Sequence, residues 1–158
     1  MIDRAVDAAK VALRRDECNL LLNPVPGNPD NFTFTAREVL ATATTSFEPP
    51  PGRFPDAVAS VTDVGRSSTI RIHPRFADLG KTLTLRLAGL GDFTDLSARP
   101  ETPLPLSGDL LRAVTILHEV GHLTEREGPH EGSTVREALY NTRILNTCFA
   151  PRSSPTSE

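Results

Sequence analysis

His118, Glu119 and His122 form an H-E-x-x-H pattern, written HEVGH in this chain, and their types and spacing could do chemistry. On a helix, residues four apart stand one above the other on the same face. Two imidazoles so placed can grip one Zn2+ through neutral nitrogens. A carboxylate beside the first can take a proton from a water that the metal activates. Chance assembly of the pattern is rare in a chain with only four His. The plain alternative is a helix with solvated His and Glu side chains, and the flanking residues argue against it. Leu110, Leu111, Val114, Leu117 and Val120 recur at spacings of three and four, and Ala113 and Ile116 widen that apolar stripe. Ser107 suits the N-cap, and Asp109 puts negative charge in the first turn, where the helix dipole favours it. A largely buried helix of this kind cannot leave a His pair and a Glu without partners. One metal ion would supply the partner for both His.

A catalytic zinc site needs three protein ligands and an open position. The stretch LTEREGPHEGSTVREALYN after the motif offers three candidates. His130 stands past the Gly128-Pro129 turn, where the chain can fold back, and ranks first because imidazole is a natural zinc donor. Glu131 is its neighbour in the same loop. Glu137 falls in the next helix, which would have to cross the motif helix closely. Tyr140, the only Tyr, could donate to a developing oxyanion, or serve as a core or interface Tyr bonded to backbone. His73 reads as a structural His, and Asn141 and Asn146 read as capping or cross-linking residues. Gly121 in mid-helix costs about 1 kcal/mol against Ala, so something must approach it closely.

With HEVGH (118–122) on a helix, a turn and a further ligand, the chain resembles the zincin metallopeptidases. It departs from the metzincin pattern, with Glu125 and Gly128 where a Gly and a His belong. It also departs from the thermolysin-like gluzincins, whose ligand Glu lies further along than Glu137. A nearer resemblance is to small bacterial proteins that combine H-E-L-G-H, a Pro-acid-Gly turn and N-T-x-x-I/L-x-x-C. The matching segments are HEVGH, PHEG (129–132) and NTRILNTC (141–148), with IRIHPRF (70–76) as an extended segment before the motif. The likeness covers the last two-thirds of the chain loosely. It implies a zincin-like fold and a metallohydrolase holding one Zn2+. A strand along the cleft, Lys81–Ala88 or Thr69–His73, would then pair with an extended substrate.

The elements that must position these residues read as α+β. Residues 2–22 pattern as one amphipathic helix, with Val6, Ala9, Leu13 and Leu20 or Leu21 inside. A second helix runs from the T-A-R-E capping box at Thr35 to Thr45. Short β-branched runs at Val58–Thr62 and Thr69–His73 flank a Gly65–Ser68 loop, and Lys81–Ala88 alternates as a half-buried strand. After the motif helix, a last helix opens at Ser133 or Thr134 and runs to about Phe149. The expected architecture is a single domain over 1–150, zincin-like, with a small twisted sheet between an N-terminal and a C-terminal helix. A disordered tail is expected over 151–158.

Composition narrows the function classes. Apolar residues make up 38% and aromatic residues 5%, with no Trp, so the core must be aliphatic. The formal charge of −3 and the lack of a basic stripe speak against nucleic acid as a partner. No run has the length of a membrane span. The N-terminus lacks the apolar region of a secretory signal, so the chain as written reads as cytoplasmic, or as extracytoplasmic if an upstream segment is missing. Cys18 and Cys148 could close a disulfide joining the first helix to the last, which would stabilise by roughly 4–5 kcal/mol, or each could be a small buried hydrophobe. The expected activity is zinc-dependent hydrolysis of a peptide or protein substrate, with Glu119 as general base. The alternatives are a non-catalytic zinc-stabilised binding or structural domain, and a metal-free helical interaction module. The sequence sets no oligomeric state.

Overall fold

A computed structural model describes residues 1–27, 34–55, 57–61, 63–79, 86–87, 91–92, 107–128 and 134–150. The N-terminal segment forms two helices, α1 (Ile2–Ala12) and α2 (Asp16–Leu22), where the periodicity predicts one. The reason lies in the two apolar stripes. Ala5, Ala9, Ala12 and Leu13 are buried on one face, and Cys18 and Leu22 are buried further on. At 3.6 residues per turn the second set would lie roughly 140° around a continuous helix from the first. Breaking at Leu13–Arg15 lets both face the core. The guanidinium of Arg37 donates to the freed carbonyls of Leu13 and Arg14 and to the Asp16 carboxylate. Leu20 is consequently exposed, and Val6 and Leu21 are only half-buried.

The capping box at Thr35 forms as expected: the Thr35 side chain accepts from Glu38 N, and Glu38 accepts from Thr35 N at 2.8 Å. The helix it starts, α3 (Ala36–Thr42), stops short of Thr45 because Thr44 and Thr45 enter strand β1 (Thr44–Phe47). β2 (Ala59–Val61) and β3 (Thr69–Ile72) complete a three-stranded sheet in the order β1-β3-β2. β3 is central: Thr44–Phe47 run parallel to it and Ala59–Val61 antiparallel. Ile70 and Ile72 point into the core from this strand. His73 ties the layer together, with Nδ1 2.9 Å from the Glu48 carbonyl and Nε2 2.9 Å from Ser60 Oγ. It is a structural His, as the sequence suggests.

The segment after His73 departs from its extended reading. Pro74 opens a one-turn helix, α4 (Arg75–Asp78), that buries Phe76. Arg112 holds its end by donating to the carbonyls of Phe76, Ala77 and Leu79 at 2.9–3.0 Å. Within the expected strand Lys81–Ala88, Arg86–Leu87 forms β4, paired antiparallel with β5 (Gly91–Asp92), and the other positions lie outside the described residues. The expected tail, 151–158, also lies outside them.

The motif helix, α5 (Gly108–Leu123), is capped by Ser107, whose side chain accepts from Leu110 N. α1, α2, α3, β2 and the last helix all pack around it. Its apolar stripe therefore spreads nearly all round: Leu111, Ala113–Gly121 and Leu123 are all buried. The last helix, α6 (Thr134–Ile144), continues into a π turn, Leu145–Phe149, which completes the run predicted to reach Phe149. The structure joins Cys148 in that turn to Cys18 in α2 by a disulfide. The mixed α+β class holds. No helix among the described residues is long and apolar enough to cross a membrane.

Candidate metal centre

His118 and His122 converge as their spacing requires. Their Nε2 atoms stand 3.1 Å apart, with the rings edge to face at 63°. The opposite nitrogens are held by carbonyl oxygens. His118 Nδ1 donates to Asn141 Oδ1 at 2.8 Å, and His122 Nδ1 donates to the Glu127 backbone oxygen at 3.0 Å. Where each Nδ1 carries its proton in a neutral ring, each Nε2 keeps a lone pair, and the two Nε2 atoms lie within hydrogen-bond distance of one another. Burial also holds the His122 pKa below its ordinary value, which favours the neutral ring. A shared cation relieves the repulsion between such lone pairs. Two nitrogens held at about 2.0–2.1 Å by one tetrahedral zinc would stand about 3.3 Å apart, close to the spacing present. The pair fits the ion that the sequence suggests.

Local backbone chemistry explains how His122 is held. Helix α5 ends in a turn in which Thr124 N bonds the Val120 carbonyl, Glu125 N the His122 carbonyl and Glu127 N the Gly121 carbonyl. Glu125 adopts a left-handed φ of 53° there. The turn reverses the chain and brings the Glu127 carbonyl onto the imidazole. Arg136 of α6 meets the Glu127 carboxylate at 3.0 Å. The end of the helix is held twice more, by Thr124 Oγ1 donating to the Leu22 carbonyl and by Gly65 N donating to the Leu123 carbonyl, both at 2.7 Å.

Helix α6 supplies the other side. The Tyr140 ring lies edge-on to His118, with centroids 5.2 Å apart. It also explains Gly121. A Cβ at that position would fall on Tyr140 Oη and only 2.8 Å from its Cζ. Among the described residues, the close approach expected at this glycine is made by α6. Gly121→Ala, which on propensity alone should stabilise the helix by about 1 kcal/mol, should instead destabilise by about 1–3 kcal/mol. Urea unfolding measures this, and a variant as stable as the parent would rule out the packing described.

Glu119 is buried, and its carboxyl is pushed up to about 8, first by burial and then by the negative charge of Glu137. Glu137 is itself pushed up to about 7 by burial, so α6 does bring this residue to the site. Burial also raises the Tyr140 pKa and keeps its hydroxyl protonated. Among the described residues, no group of three or more His, Cys, Asp or Glu is gathered so as to hold a metal ion. Two of the three candidate third ligands, His130 and Glu131, lie outside the described residues.

The raised Glu119 carboxyl has a consequence for the metal-free protein. Its folded pKa lies above the ordinary value of 4.5, so between 4.5 and about 8 the folded state binds more protons than the unfolded state. Stability from this group is therefore fully present below 4.5 and is lost as pH rises toward 8. Thermal melts of chelator-treated protein should show Tm falling over this window relative to Glu119→Gln. Parallel curves for the two proteins would contradict the shift.

The site residue that sequence reasoning passed over is Asn141, read as a cap or cross-link and found bonded to His118. A signal was available. Asn141 sits beside Tyr140, on the stripe with Ile144, Leu145 and Cys148, and a polar residue on such a face needs a buried partner.

No protein-family model matches the chain, and no curated protein or solved structure matches it.

Proposed function

We propose that the chain is a zinc-dependent metallohydrolase with a zincin-like fold, acting on peptide or protein substrates. The observation that carries the reading is the His118–His122 pair: two imidazoles with their Nδ1 atoms tied to carbonyl oxygens and their Nε2 atoms 3.1 Å apart. His118 and His122 would hold the ion, with a third ligand from His130 ahead of Glu131 and Glu137. Bound there, zinc would supply Lewis acidity, polarising a substrate carbonyl and acidifying a water. Glu119, adjoining His118 on a buried helix, is the base that takes the proton of the attacking water and returns it to the leaving amine. Its buried setting already favours holding a proton, which suits the second half of that role. Tyr140, kept protonated, is a hydroxyl able to donate to developing negative charge.

The edge that would receive an extended substrate needs correction. Thr69–His73 cannot serve, because β3 is paired on both sides, by β1 and by β2. Lys81–Ala88 keeps that role in the proposal.

Metal analysis of protein purified without a His tag tests the reading. One zinc per chain is expected, with none in His122→Ala and a reduced content in His130→Ala. A metal-free parent protein would overturn the proposal and leave the helical interaction module. Full zinc in His130→Ala would move the third ligand to Glu131 or Glu137. A zinc-stabilised domain without turnover is the second reading, favoured by the burial of His118 and Glu119, which are 5% and 6% exposed. Zinc binding with no cleavage of any member of a peptide library would select it.

A further inference from the structure

The motif helix and the last helix are braced by one short element, α2. Along α6 and its π turn, Tyr140, Asn141, Ile144, Leu145 and Cys148 are buried, and their spacing by three and four puts them on a shared face. Asn141 on this face reaches His118, and Cys148, about two turns further on, is bonded to Cys18 of α2. The other end of α2 holds α5, where Leu22 O accepts from Thr124 Oγ1 just past His122. Arg15, at the start of α2, donates to the Ala150 carbonyl beyond the π turn at 2.7 Å. One two-turn helix thus fixes both the helix that carries the imidazoles and the helix that carries the amide facing one of them.

We propose that Asn141 is a positioning residue for His118 and that the Cys18–Cys148 bond keeps it in place, so that metal affinity is linked to the thiol state of the protein. This rests on the zinc reading above. The neutral amide oxygen of Asn141 accepts from Nδ1–H and so selects the tautomer whose Nε2 lone pair can bind metal. A His118 released from Asn141 can carry its proton on Nε2, the form that cannot bind. Opening the disulfide takes two electrons and two protons from a dithiol reductant, which leaves as its own disulfide, and yields thiols at Cys18 and Cys148. The end of α6 is then no longer joined covalently to α2, and the amide loses its register on the imidazole.

Zinc competition against a chromophoric chelator, and 15N chemical shifts of the His118 ring in metal-free protein, test the proposal on the full chain. Asn141→Leu with the disulfide intact should bind zinc about 10–100-fold more weakly and lose the Nδ1–H tautomer signature. Asn141→Asp, which keeps an acceptor, should restore both. Cys18→Ala/Cys148→Ala should weaken zinc binding similarly, and adding Asn141→Leu to it should cost little more. If the double alanine variant does not fold, Arg15→Ala, which keeps the disulfide and removes the bond to Ala150, should show a smaller loss in the same direction. Unchanged zinc affinity and tautomer in Asn141→Leu would overturn the positioning role. Unchanged affinity in the folded cysteine variant, or in Arg15→Ala where that stands in, would overturn the link to the disulfide. Failure of the oxidised parent to bind zinc would overturn the metal reading itself, and this proposal with it.

Discussion

Glu119→Gln should bind zinc as the parent does and lose turnover by about 10²–10⁴-fold, the range that a positioned general base contributes. Glutamine keeps the size of the side chain and removes its capacity to take a proton. The two imidazoles are oriented by Asn141 and by the Glu127 carbonyl, and neither contact involves Glu119. Metal binding and catalysis should therefore separate cleanly in this variant. The variant should also be more stable than the parent in the metal-free state near pH 8, because the parent must then ionise a buried carboxyl that sits near Glu137. Peptide cleavage at the parental rate by Glu119→Gln, with zinc bound, would eliminate Glu119 as the base.

Loss of the Cys18–Cys148 bond should produce the largest change in stability. The bond spans a sequence separation of 130 residues, and closing so long a loop restricts the unfolded chain by roughly 5 kcal/mol in the chain-entropy model. For a domain of this size that corresponds to a fall in Tm of roughly 10–20 °C. Cys18→Ala/Cys148→Ala compared with the oxidised parent by calorimetry measures it. Equal melting temperatures, or two free thiols in natively oxidised protein by non-reducing mass spectrometry, would exclude the bond as a source of stability.

How far the sequence reveals this molecule depends on whether a feature is local. The capping box at Thr35 and Glu38, the N-cap at Ser107 and the apolar stripe of the motif helix are written within a few residues of where they act, and each is found as expected. The break at Leu13–Arg15 is not local in that sense. Its positions pattern as continuous helix, and only the need to bury Cys18 and Leu22 against other elements, with Arg37 at hand to take the freed carbonyls, ends it. Thr44 and Thr45 likewise leave the helix because β3, distant in sequence, offers them a ladder. The one-turn helix after Pro74 is too short to show a period at all.

The candidate site divides the same way. HEVGH reveals the His pair and the adjacent carboxylate, because four-residue spacing on a helix fixes their relation. Gly121 announces a close neighbour without naming it, and the neighbour proves to be Tyr140. Asn141 faces His118 only because α6 crosses α5, a tertiary relation that no spacing within either helix encodes.

The turn after the motif helix carries a different kind of information. His122 is oriented by a main-chain oxygen at Glu127, brought there by Glu125 in a left-handed conformation and by the bond from Glu127 N to the Gly121 carbonyl. Side-chain replacement cannot delete that acceptor, whereas inserting or removing a single residue between Thr124 and Glu127 would carry it away from the ring. Positions 125 and 126 should therefore accept varied residue types while the length between Thr124 and Glu127 stays fixed, with glycine or asparagine welcome at position 125. Its contribution to the site is a count of peptide units, and a change in that count is what it cannot absorb.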